Sequence, residues 1–326
     1  MSAARLSAFD AVEGLHLAHA LAALTELGVF DALLRKPRSA RALARRLSLD
    51  EALLRATLAF VAARTDLVER GGDVFRATDA YDVAARFQIE LYAGAFAPNA
   101  AGLAASLVAP RRAGAFVDRR RHAQAFAQVP VRVDSPVAAI VLQLDLAPVL
   151  DLGCGPGSLL LAMALQDSTL RAWGIDANAA MCRVARERMR EAGVSRRVTI
   201  VRGDSRETWI ALPERVRSQI RLLVAGDVAN EWFANGAEAF VAWLKGLRAT
   251  FPERVLVVAD YYGRLGTTLP ADRQTLLHDF AQAISGQGIP AATREAWDAL
   301  YRSAGCRLAH CVEDETTTRF VHIVAL

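Results

Sequence analysis

The sequence predicts an α/β protein: a Rossmann-like sheet of seven strands behind a mostly helical, winged-helix-like N-terminal domain. Two observations lead. From Pro148 onward, short apolar runs alternate with helical patterns, and the first run leads into a glycine-rich turn. Before it, apolar residues recur at helical spacing, with a short hairpin signal among them.

Within residues 3–35, Leu15, Ala18, Leu21, Leu24, Leu27, Phe30 and Leu33 give one long helical pattern with two apolar faces. Ser39 precedes a short helix over 40–47. Ser48 and Glu51 have capping-box spacing, which predicts a helix running to about residue 63. Leu67–Arg70 and Val74–Arg76 flank Gly71-Gly72 and read as a hairpin, the wing. Residues 81–146 read as helices broken at Pro98-Asn99, Pro110 and Pro130, a linker and substrate lid holding Tyr92, Asn99 and His122. The expected domains are 1–80, 81–146 and 147–326.

A chain of 326 residues, 53% hydrophobic with mean hydropathy +0.20, can fill two cores, and disorder is excluded. The net charge of +4 is small, and Arg119-Arg120-Arg121 is the one dense basic run, so a concentrated nucleic-acid face is not expected. A winged helix can read DNA, but Leu53, Leu54, Leu58, Phe60 and Val61 leave its second helix little polar face to do so. Cys154, Cys182, Cys306 and Cys311 form no CxxC pair, so neither zinc nor a disulfide framework is expected. Glu13, His16, His19 and Glu26 interrupt the most apolar stretch, and no signal-peptide pattern opens the chain; a cytoplasmic protein is expected.

The most informative segment starts at Val149-Leu150-Asp151-Leu152, a buried-strand run. Gly153-Cys154-Gly155-Pro156-Gly157 follows, then a helix from Ser158. Such a turn lets a ligand approach the backbone, and the helix start offers free N–H groups. The spacing is G-x-G-x-G rather than the dinucleotide G-x-G-x-x-G. Asp151 at the strand end repels pyrophosphate and favours an ammonium group. Asp176 ends the second strand, where a ribose-binding acid belongs, and Ala177 follows it. Asp204-Ser205 end the third strand and can meet an adenine edge; Asp227 follows the fourth, and Asp260-Tyr261-Tyr262 follow the fifth. Runs near 306–313 and 319–325 predict a closing hairpin. A segment around His278 and Gln282, on one helical face, interrupts the sheet and reads as a pocket lining.

On these residues the chain resembles the class I methyltransferases, in particular the small-molecule O-methyltransferase-like family with an N-terminal winged-helix dimerisation region. The resemblance covers nearly the whole chain, and residues 151–157 match the family's first cofactor motif. It implies S-adenosylmethionine as cofactor, which carries an ammonium and a sulfonium and no phosphate, and S-adenosylhomocysteine as product. Asp151, Gly153, Gly155, Gly157, Asp176, Ala177, Asp204, Ser205 and Asp227 would then line the cofactor. It further implies a homodimer, no nucleic-acid or membrane partner, and a small-molecule acceptor, with specialised metabolism as the setting. Tyr92, Asn99, Asn230, Tyr262 and Gln282 are the candidate acceptor contacts.

One departure bears on mechanism. Where the family commonly has His-Asp-Trp after the fourth strand, this chain has Asn230-Glu231-Trp232. Asn230 cannot act as a general base. Glu231, His278 and His122 are the candidates to replace it. Oxygen is the favoured acceptor atom, on the family pattern; a thioether sulfur, or carbon or nitrogen, would dispense with a histidine base. A DNA-binding regulator and a non-catalytic cofactor-binding homologue are the readings from other classes.

Overall fold

The computed structural model describes residues 6–109, 114–314 and 316–326, without the side chains of Thr208 and Trp209. The expected break at Pro110 lies outside the described residues. The chain divides into two compact units, residues up to 98 with 120–129, and residues 99–119 with 130–326. The stretch 81–146 is thus shared between the two units.

In the first unit, Ser7 and Asp10 cap helix Ala8–Glu26 reciprocally: the Asp10 amide donates to Ser7 Oγ, and the Ser7 amide donates to Asp10 Oδ2. The single helical pattern of the sequence becomes two helices, because Gly28 at φ 69° turns the chain before Val29–Arg35. Helices Ala40–Leu47 and Glu51–Arg64 follow. Ser48 does not cap the second of these. It sits at φ 55° and closes the first, while Asp50, one residue before the helix, accepts from the Leu53 amide at 2.7 Å. Strands β1 (Arg38–Ser39), β2 (Val68–Gly71) and β3 (Val74–Ala77) form an antiparallel sheet in the order β1-β3-β2, with the wing turn at Gly72. Leu33, Leu43, Leu58, Val61 and Phe75 fill the core, and Phe30 stacks on Tyr81 at 3.9 Å. Residues Ile89–Ala95 form a wider helical turn, closed by the Phe96 amide on the Leu91 carbonyl. Arg121 pairs with Glu26 and Glu90, both at 3.1 Å, and ties 120–129 to this unit.

The second unit is built on β4 (Val149–Leu152), β5 (Ala172–Asp176), β6 (Val198–Arg202), β7 (Leu222–Gly226), β8 (Val255–Tyr261), β9 (Arg307–Glu313) and β10 (Arg319–Ala325). Their order is β6-β5-β4-β7-β8-β10-β9, parallel from β6 to β8, with β10 antiparallel to both its neighbours. Side chains alternate between two cores. Leu150, Leu223, Leu256 and Val258 face Phe240, Trp243, Leu244 and Trp297. Val149, Val224, Val257 and Val321 face Leu160, Met163, Cys182 and Ala185. β8 runs two residues past the expected Ala259, because β10 pairs along it as far as Arg319 opposite Tyr261. The chain reverses direction across the sheet between β4 and β7, which opens a crevice at the strands' carboxyl ends.

Among the described residues no single helix is long and apolar enough to cross a membrane. No group of three or more His, Cys, Asp or Glu there could hold a metal ion.

Candidate active site

The glycine turn is fixed from β5. The Cys154 amide donates to the Ile175 carbonyl and the Gly155 amide to Asp176 Oδ2, both at 2.9 Å. On the other side Arg188 donates to Ser158 Oγ at 2.9 Å and to the Pro156 carbonyl at 3.4 Å. Gly153 and Gly157 are needed for packing: a Cβ would lie 2.6 Å from Val228 at the first and 2.8 Å from Met189 at the second. Gly155 differs. Its φ is 53°, and a Cβ there would meet nothing within 4 Å, so this part of the turn faces open space.

Two carboxyls lie beneath that space. Asp151 is 3% exposed, and burial, reinforced by the charge of Asp176, pushes its pKa up to about 8. Asp176 is half-buried and also raised by burial, against the pull of the Asn178 and Gly155 amides and of Arg119. A buried, charge-starved carboxyl beside a glycine cradle suits a cationic ligand group, so these residues fit S-adenosylmethionine. Ala177 is exposed directly after Asp176. Asp204 is exposed and accepts from the Arg206 amide at 2.9 Å. Ser205 is buried, its carbonyl 3.4 Å from Trp243 Nε1. Trp243 packs on Trp232 at 4.3 Å, and the Arg206 guanidinium lies 5.7 Å from the Trp232 ring. Asp227, expected beside the cofactor, forms an ion pair with Arg319 of β10.

The arginine run opens the helix Arg119–Gln128, and its members have different partners: Arg120 and Arg121 pair with Glu26, whereas the Arg119 carbonyl accepts from Asn178 Nδ2 at 3.4 Å and its charge acts on Asp176 and Glu231. Sequence reasoning gave no sign of the Arg119 contact with Asn178, nor of Trp243 against the Ser205 carbonyl.

The residues after β7 form a tight turn, Ala229–Asn235. Asn230 is buried. Its amide donates to Asp260 Oδ2 at 3.2 Å and its Nδ2 to Gln282 Oε1 at 3.3 Å, while Oδ1 has no partner among the described residues. Asp260 is 1% exposed and raised by burial. Glu231 is half-buried and accepts from Gln287 Nε2 at 3.1 Å. Burial raises its carboxyl, the charges of Arg119 and Arg206 lower it, and Asp176 raises it. Helix Arg273–Ile284 and the segment after it pack onto this turn: at Gly288 a Cβ would lie 2.2 Å from the Ala234 amide nitrogen. Asn99 Nδ2 donates to the Ile284 carbonyl at 3.0 Å, so Asn99, Asn230 and Gln282 gather around one helix end.

Tyr262 is placed differently from expectation. It packs on Phe320, and its hydroxyl, which donates to Glu313 Oε1 at 2.6 Å, also bonds His322 Nε2 at 3.1 Å. Tyr261 points to the opposite face of β8, with His278 edge-on to its ring at 4.8 Å. Burial, and then Arg319, lower the pKa of His278 and keep the imidazole neutral at pH 7. Tyr92 and His122 lie in the first unit, Tyr92 against Phe96 and His122 between Phe96 and Phe126, at 5.9 and 5.0 Å.

The sheet order, the glycine cradle and the acids at successive strand ends are those of the class I methyltransferase fold. Residues 149–233 match the family model described as "Methyltransferase domain", and the chain carries an S-adenosylmethionine-dependent methyltransferase domain. Among solved structures, the mitomycin 7-O-methyltransferase MmcR superposes with TM-score 0.76 at 21% identity, covering 97% of this chain and 96% of that one. An O-methyltransferase from neocarzinostatin biosynthesis, in complex with S-adenosylhomocysteine and 1,4-dihydroxy-2-naphthoic acid, gives 0.74 at 19%, covering 99% and 100%. A putative O-methyltransferase from Nostoc punctiforme PCC 73102 gives 0.73 at 17%, covering 98% of each. At these identities the likeness is one of fold. No curated protein sequence matches the chain.

Proposed function

We propose that the protein methylates an oxygen of a small-molecule acceptor in specialised metabolism, as a cytoplasmic homodimer. The observation that carries the choice of oxygen is Glu231, a half-buried carboxyl raised by burial, one residue past the position of the family's histidine. A carboxyl raised toward the working pH makes a more effective general base. Bound S-adenosylmethionine supplies a methyl group on positive sulfur. The Glu231 carboxylate takes the proton as the acceptor's O–H bond breaks, and the new C–O bond forms as the C–S electron pair returns to sulfur. Asp151, Asp176 and the Gly155 turn hold the cofactor; Asp204, Ser205 and Asp227 complete its surroundings. Asn99, Asn230 and Gln282 hold the acceptor in line.

Dimerisation is supported by the first helix. Phe9, Val12 and Leu15 are each more than half exposed at three-residue spacing, an apolar stripe of the kind large homomeric interfaces cover. Against DNA reading, Arg55 on helix Glu51–Arg64 is held by Glu51 and Asp73.

The test is transfer of label from [methyl-³H]S-adenosylmethionine to a panel of phenols and thioethers, with products located by mass spectrometry. Label on a phenolic oxygen supports the reading. Label confined to sulfur, with phenols inert, would sink it.

A further inference from the structure

Tyr261 ends β8, 3% exposed, and its hydroxyl is buried without a hydrogen-bond partner among the described residues. Leaving a buried hydroxyl unpaired is destabilising, and a ligand atom is one of the few things that explain it in a crevice. The groups around it describe that atom. Burial, then Asp260 and other nearby acids, hold the phenol protonated far above its ordinary range, so it arrives as a neutral donor. The Arg319 guanidinium stands 5.9 Å from the Tyr261 ring centroid but is committed to Asp227. So paired, this cation does not offer a full charge to a carboxylate. A neutral oxygen with free lone pairs suits the site, and a carboxylate does not.

The distance to the reacting end comes from one helix. His278, against Tyr261, and Gln282, against Asn230, are four residues apart on Arg273–Ile284, hence on one face and about 6 Å apart along the axis. Among the described residues Asn230 Oδ1 is a second buried atom without a partner, and it marks the reacting end, next to Glu231.

We propose that Tyr261 determines acceptor specificity by donating its hydroxyl to a neutral carbonyl oxygen, so that the acceptor is a phenol bearing a ketone or quinone carbonyl about 6 Å from the hydroxyl that is methylated. This rests on the oxygen-methylation reading above.

The test uses two matched pairs on the full chain, 4-hydroxyacetophenone with 4-ethylphenol and 4-hydroxybenzophenone with 4-benzylphenol, and 4-hydroxybenzoate as the charged comparison. Acceptor affinity is measured by calorimetry in the presence of S-adenosylhomocysteine, and transfer by mass spectrometry. At least one ketone should bind about tenfold more tightly than its carbon isostere. Tyr261→Phe should abolish that preference through KM, leaving the isostere and S-adenosylhomocysteine affinity unchanged. A preference that survives Tyr261→Phe, equal loss on ketone and isostere, preferred binding of the benzoate, or no ketone bound by protein that binds S-adenosylhomocysteine would each overturn the proposal. If methyl transfer goes to sulfur compounds alone, the oxygen reading fails as well, whereas O-methylated isosteres with no role for Tyr261 leave that reading standing.

Discussion

Asp176 Oδ2 accepts the Gly155 amide at 2.9 Å while Oδ1 accepts the Asn178 amide at 2.7 Å, so one carboxylate ties the end of β5 to the glycine turn. Each oxygen retains a lone pair for a ribose hydroxyl. Asp176→Ala should therefore weaken S-adenosylhomocysteine binding by at least tenfold, since each hydrogen bond to a charged group contributes about 1.5–3 kcal/mol. Calorimetry showing unaltered affinity in a folded variant would remove the ribose assignment.

Gly155→Val attacks the same turn from the other side. The left-handed φ of 53° strains any β-branched residue, and the side chain enters the space the ligand needs. Cofactor affinity should fall by more than tenfold, with a smaller loss for Gly155→Ala. An undiminished affinity for the valine variant would show that the ligand does not approach there.

The raised pKa of Asp151, about 8, predicts a pH effect with a definite sign. Buried in the free protein, the carboxyl is largely protonated at pH 7. Its folded value lies above the unfolded one, so its contribution to stability is full at low pH and is lost as pH rises through about 8. The melting temperature of the free protein should fall between about pH 4 and pH 8, and Asp151→Asn should reduce that fall. A cationic ligand favours the ionised form, so binding at pH 7 should release protons and tighten up to about pH 8. Calorimetry in two buffers of different ionisation heat measures the release; proton uptake would contradict the burial argument.

Glu231→Gln separates base catalysis from mere holding. If Glu231 takes the acceptor's proton, kcat should drop about 10²–10⁴-fold and the acidic limb of the pH–kcat profile should disappear. If it only holds the acceptor, KM rises and kcat stays. Near-normal turnover of a Glu231→Gln, His278→Ala, His122→Ala triple variant would exclude all three as bases.

Charge on the exposed stripe tests the dimer. Phe9→Asp with Val12→Asp should convert a homodimer into a folded monomer by light scattering. Full-length protein that is already monomeric at micromolar concentration would refute the interface.

Much of this was legible without coordinates because it is local chemistry. Strand runs, the glycine turn and the acids that end Asp151 and Asp176 strands follow from spacing along the chain, and the closing hairpin at 307–313 and 319–325 appeared within a residue. Local signals also misled where two options lay within a turn of each other. Ser48 and Asp50 both have capping side chains, and only the left-handed backbone at Ser48 settles which helix end each one serves.

What the sequence by itself determined is the periodicity: which segments are strands, where the turn falls, and that carboxylates stand at strand ends. Tertiary structure alone decided which residues meet. Alternation says that Tyr261 and Tyr262 face opposite ways, but only the pairing of β8 with β10 buries Tyr262 against His322 and leaves Tyr261 beside His278. Asn99 reaches Ile284 across 185 positions of sequence, and the Arg119 carbonyl meets Asn178. Such contacts arise from how packed faces close over each other, a non-local outcome that no window of the sequence encodes.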